Sequence, residues 1–438
     1  MPHADRTVLL LQGPPSRFWG ELGDRFAAEG ATVLKVNLCL GDRLYWGRRS
    51  AIAFRGSRSE WSGFLNNLIV ARRVTDILYY GDRMPYHALA AEVAARHGVR
   101  THAVEFGYLR PGWITLERGG MGAWSHFPDD PAKILSLSKT LPPVDDDRRH
   151  GHAFGVEAFN EVVFNLLNSF DYLLHPSYDP SRFYAPLVEY LSSFLRTMRR
   201  RRQRPTTDVV SQEAGSGRWP YALYALQLQS DWQIRANSPY RDQREALDKV
   251  IGSLSRSAPP DMRLIVKLHP MDVGMIDWGK EAATIARRHG IADRILFIDG
   301  GDLDRLMEAA TIVFVINSTV GLHALRAGRP VKALGVAIYD MIGLTEQRGL
   351  DEIWRAPRSP DPQLVDSLVR VLGATIQVRG SFYDAEGRRA ATSEVVRRVL
   401  AMEVNQPGAF IEPPPRLAAH VASQSDPGNS VGLSRKYH

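Results

Sequence analysis

Two segments in the C-terminal half place polar side chains directly after apolar runs. The run Thr311–Ile316 is followed by Asn317-Ser318-Thr319-Val320-Gly321 and then by the helical pattern Leu322–Ala327. Ser318 or Thr319 can cap such a helix, and the free amides and positive dipole end of the helix attract an anion such as phosphate. The same spacing also describes a capped helix without a ligand.

The second segment is Lys267-Leu268-His269-Pro270, which ends the apolar run Leu264–Leu268. Pro270 restricts His269 to an extended conformation, so His269 is predicted to be the last extended residue, at the carboxyl edge of a sheet. A histidine at that edge, beside an anion-binding helix, can contact a nucleotide phosphate. A structural histidine is the alternative, so the two segments together are more specific than either alone.

Carboxylates follow apolar runs in the N-terminal half. Gly81-Asp82-Arg83 comes after Asp76–Tyr80, and Glu105-Phe106-Gly107-Tyr108-Leu109-Arg110-Pro111 begins where Arg100–Glu105 ends. Asp82 and Glu105 are predicted to face one cleft, where two carboxylates can divide the roles of nucleophile and acid/base catalyst. The alternative is that each carboxylate caps a helix or pairs with a neighbouring arginine.

Alternating strand and helix patterns position these residues in two series. The first series has strands at Thr7–Gln12, Ala31–Leu38, Asp76–Tyr80 and Arg100–Glu105, with helices at Arg17–Glu29 and His87–His97. The second has strands at Tyr221–Gln227, Leu264–Leu268, Ile295–Ile298, Thr311–Ile316 and Val331–Leu334. This βαβ repetition implies parallel sheets with functional loops at their carboxyl ends. The predicted fold class is α/β and GT-B-like, with two Rossmann-like doubly wound domains and a cleft between them.

The predicted domain organisation has five parts. They are a first Rossmann-like domain (1–141), a linker and helical segment with a basic cluster (142–219), a second Rossmann-like domain (220–360), C-terminal helices (361–405) and a disordered tail (406–438). The linker begins with the polar run Pro142–His152, and helices are predicted at Val156–Phe170 and Arg182–Arg202. The tail is rich in Pro and Ser and lacks periodicity, which is typical of disorder.

Composition excludes several classes of protein. The 438 residues are 44% hydrophobic and 24% charged, which indicates a globular protein of two domains rather than a small module or a fibre. No apolar stretch approaches the ~18 residues of a membrane span, and no signal-peptide core is present, so a cytoplasmic protein is predicted. A single cysteine, Cys39, excludes an internal disulfide and a zinc site built from cysteines.

The charge balance and its main cluster favour an anionic partner. The net charge is +7, and six arginines fall within nine residues before Pro205, namely Arg196, Arg199, Arg200, Arg201, Arg202 and Arg204. A polybasic segment gains ~1 kcal/mol per basic residue near an anionic bilayer, so this cluster is predicted to bind a membrane. An exposed, charged helix end is the alternative, and because no nucleic-acid fold signature accompanies the cluster, nucleic acid is not predicted as a partner.

Several further motifs lie along the chain together with the candidate residues. In the N-terminal half they are Leu11-Gln12-Gly13-Pro14, Gly41-Asp42-Arg43, Tyr80-Gly81-Asp82 and the run from Glu105 to Glu117. In the C-terminal half they are Gln227-Leu228-Gln229-Ser230-Asp231-Trp232-Gln233-Ile234, Lys267-Leu268-His269-Pro270-Met271-Asp272, Asn317-Ser318-Thr319, and Tyr339-Asp340 with Gly343-Leu344-Thr345. From about Val8 to Ala401 the chain thus resembles the capsule polysaccharide biosynthesis and export family, specifically its KpsS/LipB-type members. Many relatives have two consecutive acids before the Gly-Tyr pair; here Phe106 stands at the second position, which leaves Glu105 as the acid of this loop.

The resemblance implies a retaining β-Kdo glycosyltransferase of the GT-B type. It would use CMP-Kdo to start the poly-Kdo linker of group 2 capsules on a phosphatidylglycerol-type lipid, with the acceptor and catalytic groups in the first domain and the nucleotide sugar in the second. Glu105 is then the expected catalytic carboxylate, with Asp82 as the second acid and Asp231 as an alternative. Carboxylates suit this chemistry, because breaking the bond between Kdo and CMP develops oxocarbenium character.

The remaining site residues would bind the donor. The CMP portion would meet Lys267, His269, Asn317, Ser318, Thr319 and Gly321. Arg83 or Arg110 would hold the Kdo carboxylate, and bracing of the acidic loop is an equal alternative for either. No cofactor or metal is predicted, because no Asp-x-Asp pair stands at a predicted strand end and Asp145-Asp146-Asp147 lies in the linker.

The predicted partners are a CMP-sugar donor, a phospholipid acceptor, an anionic membrane surface and other capsule synthesis or export proteins. The predicted location is cytoplasmic, peripheral on the inner face of the inner membrane. Two rival interpretations stay open. One is a GT-B enzyme with a different nucleotide-activated donor, such as a sialyltransferase or polyol-phosphate transferase, because His-Pro and Ser/Thr anion sites are not donor-specific. The other is a non-catalytic capsule export adaptor.

Overall fold

The computed structural model describes residues 3–145, 150–151, 154–179 and 186–424, apart from the side chains of residues 154, 186, 187, 190, 194, 199 and 201–203. The chain forms two compact units, each assembled from separate stretches. The first unit contains the chain up to Pro128, Ser136–Pro186 and Ser367–Pro414. The second contains Asp129–Leu135, Leu187–Asp366 and the chain from Pro415 on.

The strands are short and largely apolar. They are β1 (Thr7–Leu10), β2 (Thr32–Asn37), β3 (Ile52–Ala53), β4 (Asp76–Tyr80), β5 (Arg100–Phe106), β6 (Trp113–Arg118), β7 (Tyr221–Ala225), β8 (Arg263–Lys267), β9 (Ile295–Ile298), β10 (Ile312–Val315), β11 (Val331–Ala333) and β12 (Gln377–Arg379).

The helices connect these strands. They are α1 (Phe18–Ala28), α2 (Leu40–Trp46), α3 (Arg58–Arg72), α4 (Pro85–Arg96), α5 (Pro131–Ser138), α6 (Phe154–Ser169), α7 (Pro186–Gly215), α8 (Trp232–Ala236), α9 (Gln243–Ser257), α10 (Trp278–Arg288), α11 (Leu303–Ala309), α12 (Thr319–Arg326), α13 (Pro362–Thr375), α14 (Ala385–Leu400) and α15 (Leu417–Gln424). Short 3₁₀ helices lie at Gly122–Trp124, Asp171–Leu173, Ala292–Arg294 and Leu350–Glu352.

The first unit is built on a seven-stranded sheet with the order β12-β6-β5-β4-β1-β2-β3. Strands β1 to β5 are parallel; the βαβ pattern predicts β1, β2, β4 and β5 but not the two-residue β3. Strand β6 is antiparallel to β5, and β12 is antiparallel to β6. Because side chains alternate along a strand, Val8 and Leu10 pack on the side of α1 and α14, and Leu9 packs on the side of α3 and α4. The antiparallel pair was not predicted from the sequence.

The second unit is built on a five-stranded parallel sheet with the order β11-β10-β7-β8-β9. Its five predicted strands are all present, each within two residues of the predicted ends. Helices α9 and α10 cover one face, where Leu247, Val250 and Trp278 join Leu264 and Val266 in the core. A mostly parallel sheet in the first unit and a wholly parallel sheet in the second confirm the predicted α/β class with two Rossmann-like units.

Helix α7 differs from its predicted form. The pattern predicts an end before Pro205, but the helix continues through this proline to Gly215. A proline inside a helix costs ~3 kcal/mol because it removes a backbone hydrogen bond. Thr207, Val210 and Ala214 are buried at helical spacing beyond Pro205, and their burial offsets this cost.

The predicted domain boundaries also need correction. The stretch 142–219 is not one segment, because α6 packs on α2 in the first unit while α7 belongs to the second. Part of the polar linker run, residues 146–149 and 152–153, lies outside the described residues. The predicted C-terminal helices are present, but α14 returns to pack on α1, which places it in the first core.

The predicted disordered tail is ordered as far as Gln424. Ile411 donates its backbone N–H to the carbonyl of His126 at 2.8 Å, and Phe410 stacks on the His126 ring at 4.1 Å. Helix α15 follows from Leu417. Composition alone missed these contacts because a few apolar residues anchor an otherwise polar segment; residues 425–438 lie outside the described part of the chain.

Candidate functional site

The strand order of the second unit reverses between β7 and β10, so the loops after these two strands diverge. Ligands of open α/β sheets bind at such points. Here Gln227 donates from Nε2 to Oδ1 of Asn317 at 2.9 Å, and the Asn317 backbone N–H donates to Oε1 of Gln227 at 3.0 Å. Asn317 also donates from Nδ2 to the carbonyl of Gln233 at 2.9 Å. The Asn317 side chain therefore braces the loops, and its contact with the donor stays a prediction.

The start of α12 lies at this same point. Ser318 is the cap, because its Oγ accepts from the Val320 N–H at 3.2 Å, and Thr319 is the first helical residue. Tyr339 donates its hydroxyl to the Ser318 carbonyl. A Cβ on Gly321 would overlap the Tyr339 ring and hydroxyl, so this glycine allows the tyrosine to hold the cap. The sequence prediction of a capped helix at a strand end is confirmed; anion binding there stays a prediction.

The His269 loop follows β8, which neighbours β7 in the sheet. Within this loop, the Met271 N–H donates to Nδ1 of His269 at 3.1 Å. Because Nδ1 is an acceptor, the proton of the neutral imidazole ring lies on Nε2. Lys267 is buried and donates from Nζ to the Gly300 carbonyl at 2.7 Å. Burial lowers the pKa of Lys267, and the Asp299 charge opposes that effect.

The arginine cluster on α7 does not act as one surface. Arg196 points into the second unit, where only 12% of its side chain is exposed and it pairs with Asp299 at 2.7 Å. It is therefore removed from the predicted membrane-binding set. Arg200 and Arg204 are exposed by 54% and 82%, as an electrostatic surface requires. The side chains of Arg199, Arg201 and Arg202 lie outside the described residues.

The corresponding reversal in the first unit lies between β1 and β4, and Asp82 follows β4 as predicted. Asp82 is fully buried. Its Oδ2 accepts from Nε of Arg83 at 3.0 Å and from the Met121 N–H at 2.9 Å. Within the described part of the chain, no hydrogen-bond donor meets its Oδ1. Burial raises the pKa of Asp82 above its ordinary value, which suits a carboxyl group that exchanges a proton.

Glu105 lies on a polar face of the antiparallel corner of the sheet. It pairs with Thr115 of β6, and Thr115 pairs with Gln377 of β12, so these three side chains project from one face. Gln377 donates from Nε2 to Oγ1 of Thr115 at 3.0 Å. Glu117 follows two residues after Thr115 and shares that face, whereas Leu116 faces the opposite core.

Tyr108 joins the carboxylates of this face. Its hydroxyl donates to Oε1 of the buried Glu117 at 2.9 Å, and the hydroxyl of Ser125 donates to Oε2 of the same residue. Burial and the charges of Glu117, Glu105 and Asp82 raise the pKa of Tyr108 well above its usual range. The phenol thus contacts Glu117 directly, on the sheet face that also carries Glu105. This is the feature of the first unit best suited to catalysis.

Arg83 and Arg110 brace the loops that carry the acids. Arg83 binds Asp82, and its guanidinium lies 4.0 Å from the centre of the Trp124 ring. Arg110 donates from Nε to the Gly107 carbonyl at 3.1 Å and lies 4.9 Å from the centre of the Phe106 ring. Of the two uses predicted for these arginines, bracing is confirmed, and contact with a substrate carboxylate stays a prediction.

Asp231 lies in the second unit, where its side chain caps α8. The carboxylate accepts from the Gln233 N–H at 2.8 Å. This local role accounts for its place in the motif Gln227–Ile234.

Sequence reasoning quoted Gln227 and Glu117 within motifs but did not select them. A signal for Glu117 was present, because Thr115, Leu116 and Glu117 alternate polar and apolar residues as a half-buried strand does. The Gln227–Asn317 pair is separated by 90 residues in sequence, and no local pattern could have joined its members.

The described residues lack two further features, a membrane-spanning helix and a metal-ligand cluster. None of their helices combines the length and the apolar character needed to cross a bilayer. Nor do they contain a cluster of three or more His, Cys, Asp or Glu side chains placed to hold a metal ion. The prediction of a reaction without metal or cofactor stays a prediction.

Comparison of the sequence with known families and proteins gives consistent matches. The sequence model of the family described as "Capsule polysaccharide biosynthesis protein" matches residues 75–383. The chain is 31% identical to the capsule polysaccharide export protein KpsS of Escherichia coli over 86% of this chain and 97% of that protein. It is 28% identical to the capsule polysaccharide modification protein LipB of Neisseria meningitidis serogroup B over 86% of this chain and 91% of that protein.

Among solved structures, the chain is similar to a KpsC β-Kdo 2,7 transferase of Thermosulfurimonas dismutans. The sequence identity is 16% and the TM-score is 0.43, over 90% of this chain and 99% of that one.

Proposed function

Because this chain belongs to the capsule polysaccharide biosynthesis protein family, we propose that it is a retaining β-Kdo transferase. The donor is CMP-Kdo, and the acceptor is a phosphatidylglycerol-type lipid that receives the first Kdo of a poly-Kdo linker. The motif resemblance supports the choice of sugar and lipid. The observation that carries a catalytic role is the pair of hydrogen bonds that Tyr108 and Ser125 donate to the buried Glu117, on the strand face that also carries Glu105.

The first unit supplies the groups that act on the sugar. Loss of CMP gives the anomeric carbon of Kdo oxocarbenium character, which Glu105 stabilises or traps as a carboxylate. Asp82 is the second acid: burial raises its pKa, so its protonated form can give a proton to the departing phosphate. The resulting carboxylate then takes the proton of the acceptor hydroxyl as the glycosidic bond forms. Glu117 shares the sheet face of Glu105, and its hydrogen bond from Tyr108 limits the reorganisation of that face during the reaction.

The second unit supplies the groups that bind CMP. The start of α12, capped by Ser318, offers backbone N–H groups and a positive dipole end to the phosphate. Nε2–H of His269 is a donor at the same edge of the sheet, and the nearby Lys267 adds positive charge. These groups stabilise the phosphate monoester as it leaves.

The lipid acceptor places the enzyme at the inner face of the inner membrane, as a peripheral protein that meets other capsule synthesis and export proteins. Arg200 and Arg204 support this location, because exposed arginines gain free energy near anionic lipid.

The deciding experiment measures CMP release and the mass of the lipid product. The protein is incubated with a phosphatidylglycerol-type acceptor and with CMP-Kdo, CMP-sialic acid or an activated polyol phosphate in separate reactions. We expect CMP release and Kdo-bearing lipid with CMP-Kdo alone. Turnover of another donor would favour the alternative transferase, and no turnover of any donor would favour the export adaptor.

A further inference from the structure

One arginine of the basic cluster is directed at the loop that carries the proposed phosphate ligand. Arg196 of α7 donates from Nε and Nη2 to the two carboxylate oxygens of Asp299, at 3.1 and 2.7 Å. The same guanidinium donates to the carbonyls of His269 at 3.3 Å and Pro270 at 2.9 Å, and to the carbonyl of Asp272. A guanidinium has five N–H donors, and here all five have an acceptor.

This geometry differs from that of a simple surface ion pair. Three carbonyl oxygens of one turn converge on a single side chain, and their negative dipoles would repel one another without a cation between them. Asp299 is 5% exposed, so its charge also depends on a partner. Gly274 adopts φ 74° and lies so close to Arg196 that a Cβ there would approach the arginine Cβ to 2.8 Å. The backbone of this turn is therefore fixed by its contacts with Arg196.

The conformation of this turn sets the ring orientation and the tautomer of His269. Nδ1 accepts from the Met271 N–H, which lies between two of the carbonyls that Arg196 binds. If the turn relaxes, this hydrogen bond is lost, and both the ring orientation and the preference for the Nε2–H tautomer are lost with it.

We propose that Arg196 is a positioning residue for donor binding, which fixes the turn from His269 to Asp272 and thereby presents Nε2–H of His269 to the donor phosphate. This rests on the proposed role of His269 in binding CMP. Lysine cannot replace the arginine, because one ammonium group cannot reach two carboxylate oxygens and three carbonyls in a fork.

The test compares Arg196→Gln and Arg196→Lys with wild type and with Arg218→Gln, which removes an exposed arginine paired with Glu213 near the end of the same helix. CMP affinity is measured by calorimetry, and ¹⁵N chemical shifts of labelled histidine, assigned with His269→Ala, report the tautomer of His269. We expect both Arg196 variants to weaken CMP binding about tenfold, the scale of a lost charged hydrogen bond. We also expect the His269 shifts to move towards a mixture of tautomers, while Arg218→Gln matches wild type.

The outcomes separate this inference from the proposed function. Unchanged CMP affinity and unchanged His269 shifts in a folded Arg196→Gln protein would overturn the positioning role. If wild type itself fails to bind CMP, the proposed donor is wrong, and the ¹⁵N shifts still decide whether Arg196 sets the His269 tautomer. Should Arg196→Gln fail to fold, Arg196→Lys carries the same test, and native His269 shifts there would contradict the inference.

Discussion

The two units place polar groups at equivalent points of their sheets but give those points opposite chemistry. In the first unit, Asp82 follows the strand at the reversal of strand order, and Glu105 and Glu117 project from the adjoining antiparallel corner. In the second unit, the corresponding edge offers hydrogen-bond donors, namely the start of α12, His269 and Lys267. One α/β plan can thus present acids in one unit and hydrogen-bond donors in the other, depending on the loops.

Replacement of Glu105 by Gln gives the largest expected effect, because it removes the carboxylate that we propose acts on the sugar. The change is nearly isosteric, so melting temperature and CMP binding should be preserved. Turnover in the CMP-release assay should fall by about 100-fold or more, the scale for loss of a positioned catalytic group.

The matched control is Glu29→Gln, which alters an exposed glutamate of the same unit. Near-normal turnover in Glu105→Gln would remove this residue from the mechanism. Joint loss of activity and stability would instead indicate that Glu105 only braces its loop.

In the basic cluster of α7, Arg196 is directed into the second unit, whereas Arg200 and Arg204 are exposed. The double variant Arg200→Gln, Arg204→Gln tests the exposed pair. Loss of ~1 kcal/mol per arginine should weaken binding to phosphatidylglycerol vesicles by up to about 30-fold at low salt, and less at high salt because of screening. Sedimentation with vesicles measures the change. Arg218→Gln, Arg305→Gln removes the same charge from exposed sites elsewhere; equal loss in both double variants would show that only net charge matters.

His269→Ala tests whether the second unit binds the nucleotide. We expect CMP affinity to fall about tenfold by calorimetry, since one charge-assisted hydrogen bond is lost. The melting temperature should change little, because the ring is only partly buried at a strand end. His97→Ala, at an exposed site of the first unit, is the control. An unaltered CMP affinity would make His269 structural and would place the donor site elsewhere.

The smallest expected effect concerns the buried acid of the first unit. Burial raises the pKa of Asp82 above its ordinary value of 3.8, so the native state binds more protons there than the unfolded state, and the contribution of Asp82 to stability falls as pH rises through that interval. Asparagine does not titrate. As pH rises, the free energy of unfolding of wild type should therefore fall relative to that of Asp82→Asn.

Urea unfolding from about pH 4 to about pH 8 measures this difference. Asp5→Asn, at an exposed aspartate of the same unit, should show no comparable trend. A pH-independent difference for Asp82→Asn would mean that its carboxyl group keeps the same proton affinity in both states.

Most of the parallel strands were predictable because they are short apolar runs that end at a turn residue, as at Tyr80-Gly81. Strand β3 has two residues and leaves no such pattern. The antiparallel strand β6 was missed because it adjoins an acidic motif that is more conspicuous than the alternation from Thr115 to Glu117. The continuation of α7 beyond Pro205 was missed because propensity counts the cost of the proline and not the burial of Val210.

The sequence alone determined the class of fold, the family resemblance, and the placement of Asp82, Glu105, His269 and Ser318 at or beside strand ends. These features depend on local spacing, which a strand or helix start translates directly into position. Only the tertiary structure decided the direction and partners of each side chain. Arg196 and Arg200 are four residues apart in one basic run, yet the first is 12% exposed and lies 2.7 Å from Asp299, whereas the second is 54% exposed and lies 3.8 Å from the same carboxylate. The physical reason is that hydrogen-bond acceptors for a guanidinium come from loops about 75 to 100 residues further along the chain, which no local pattern of charge can specify.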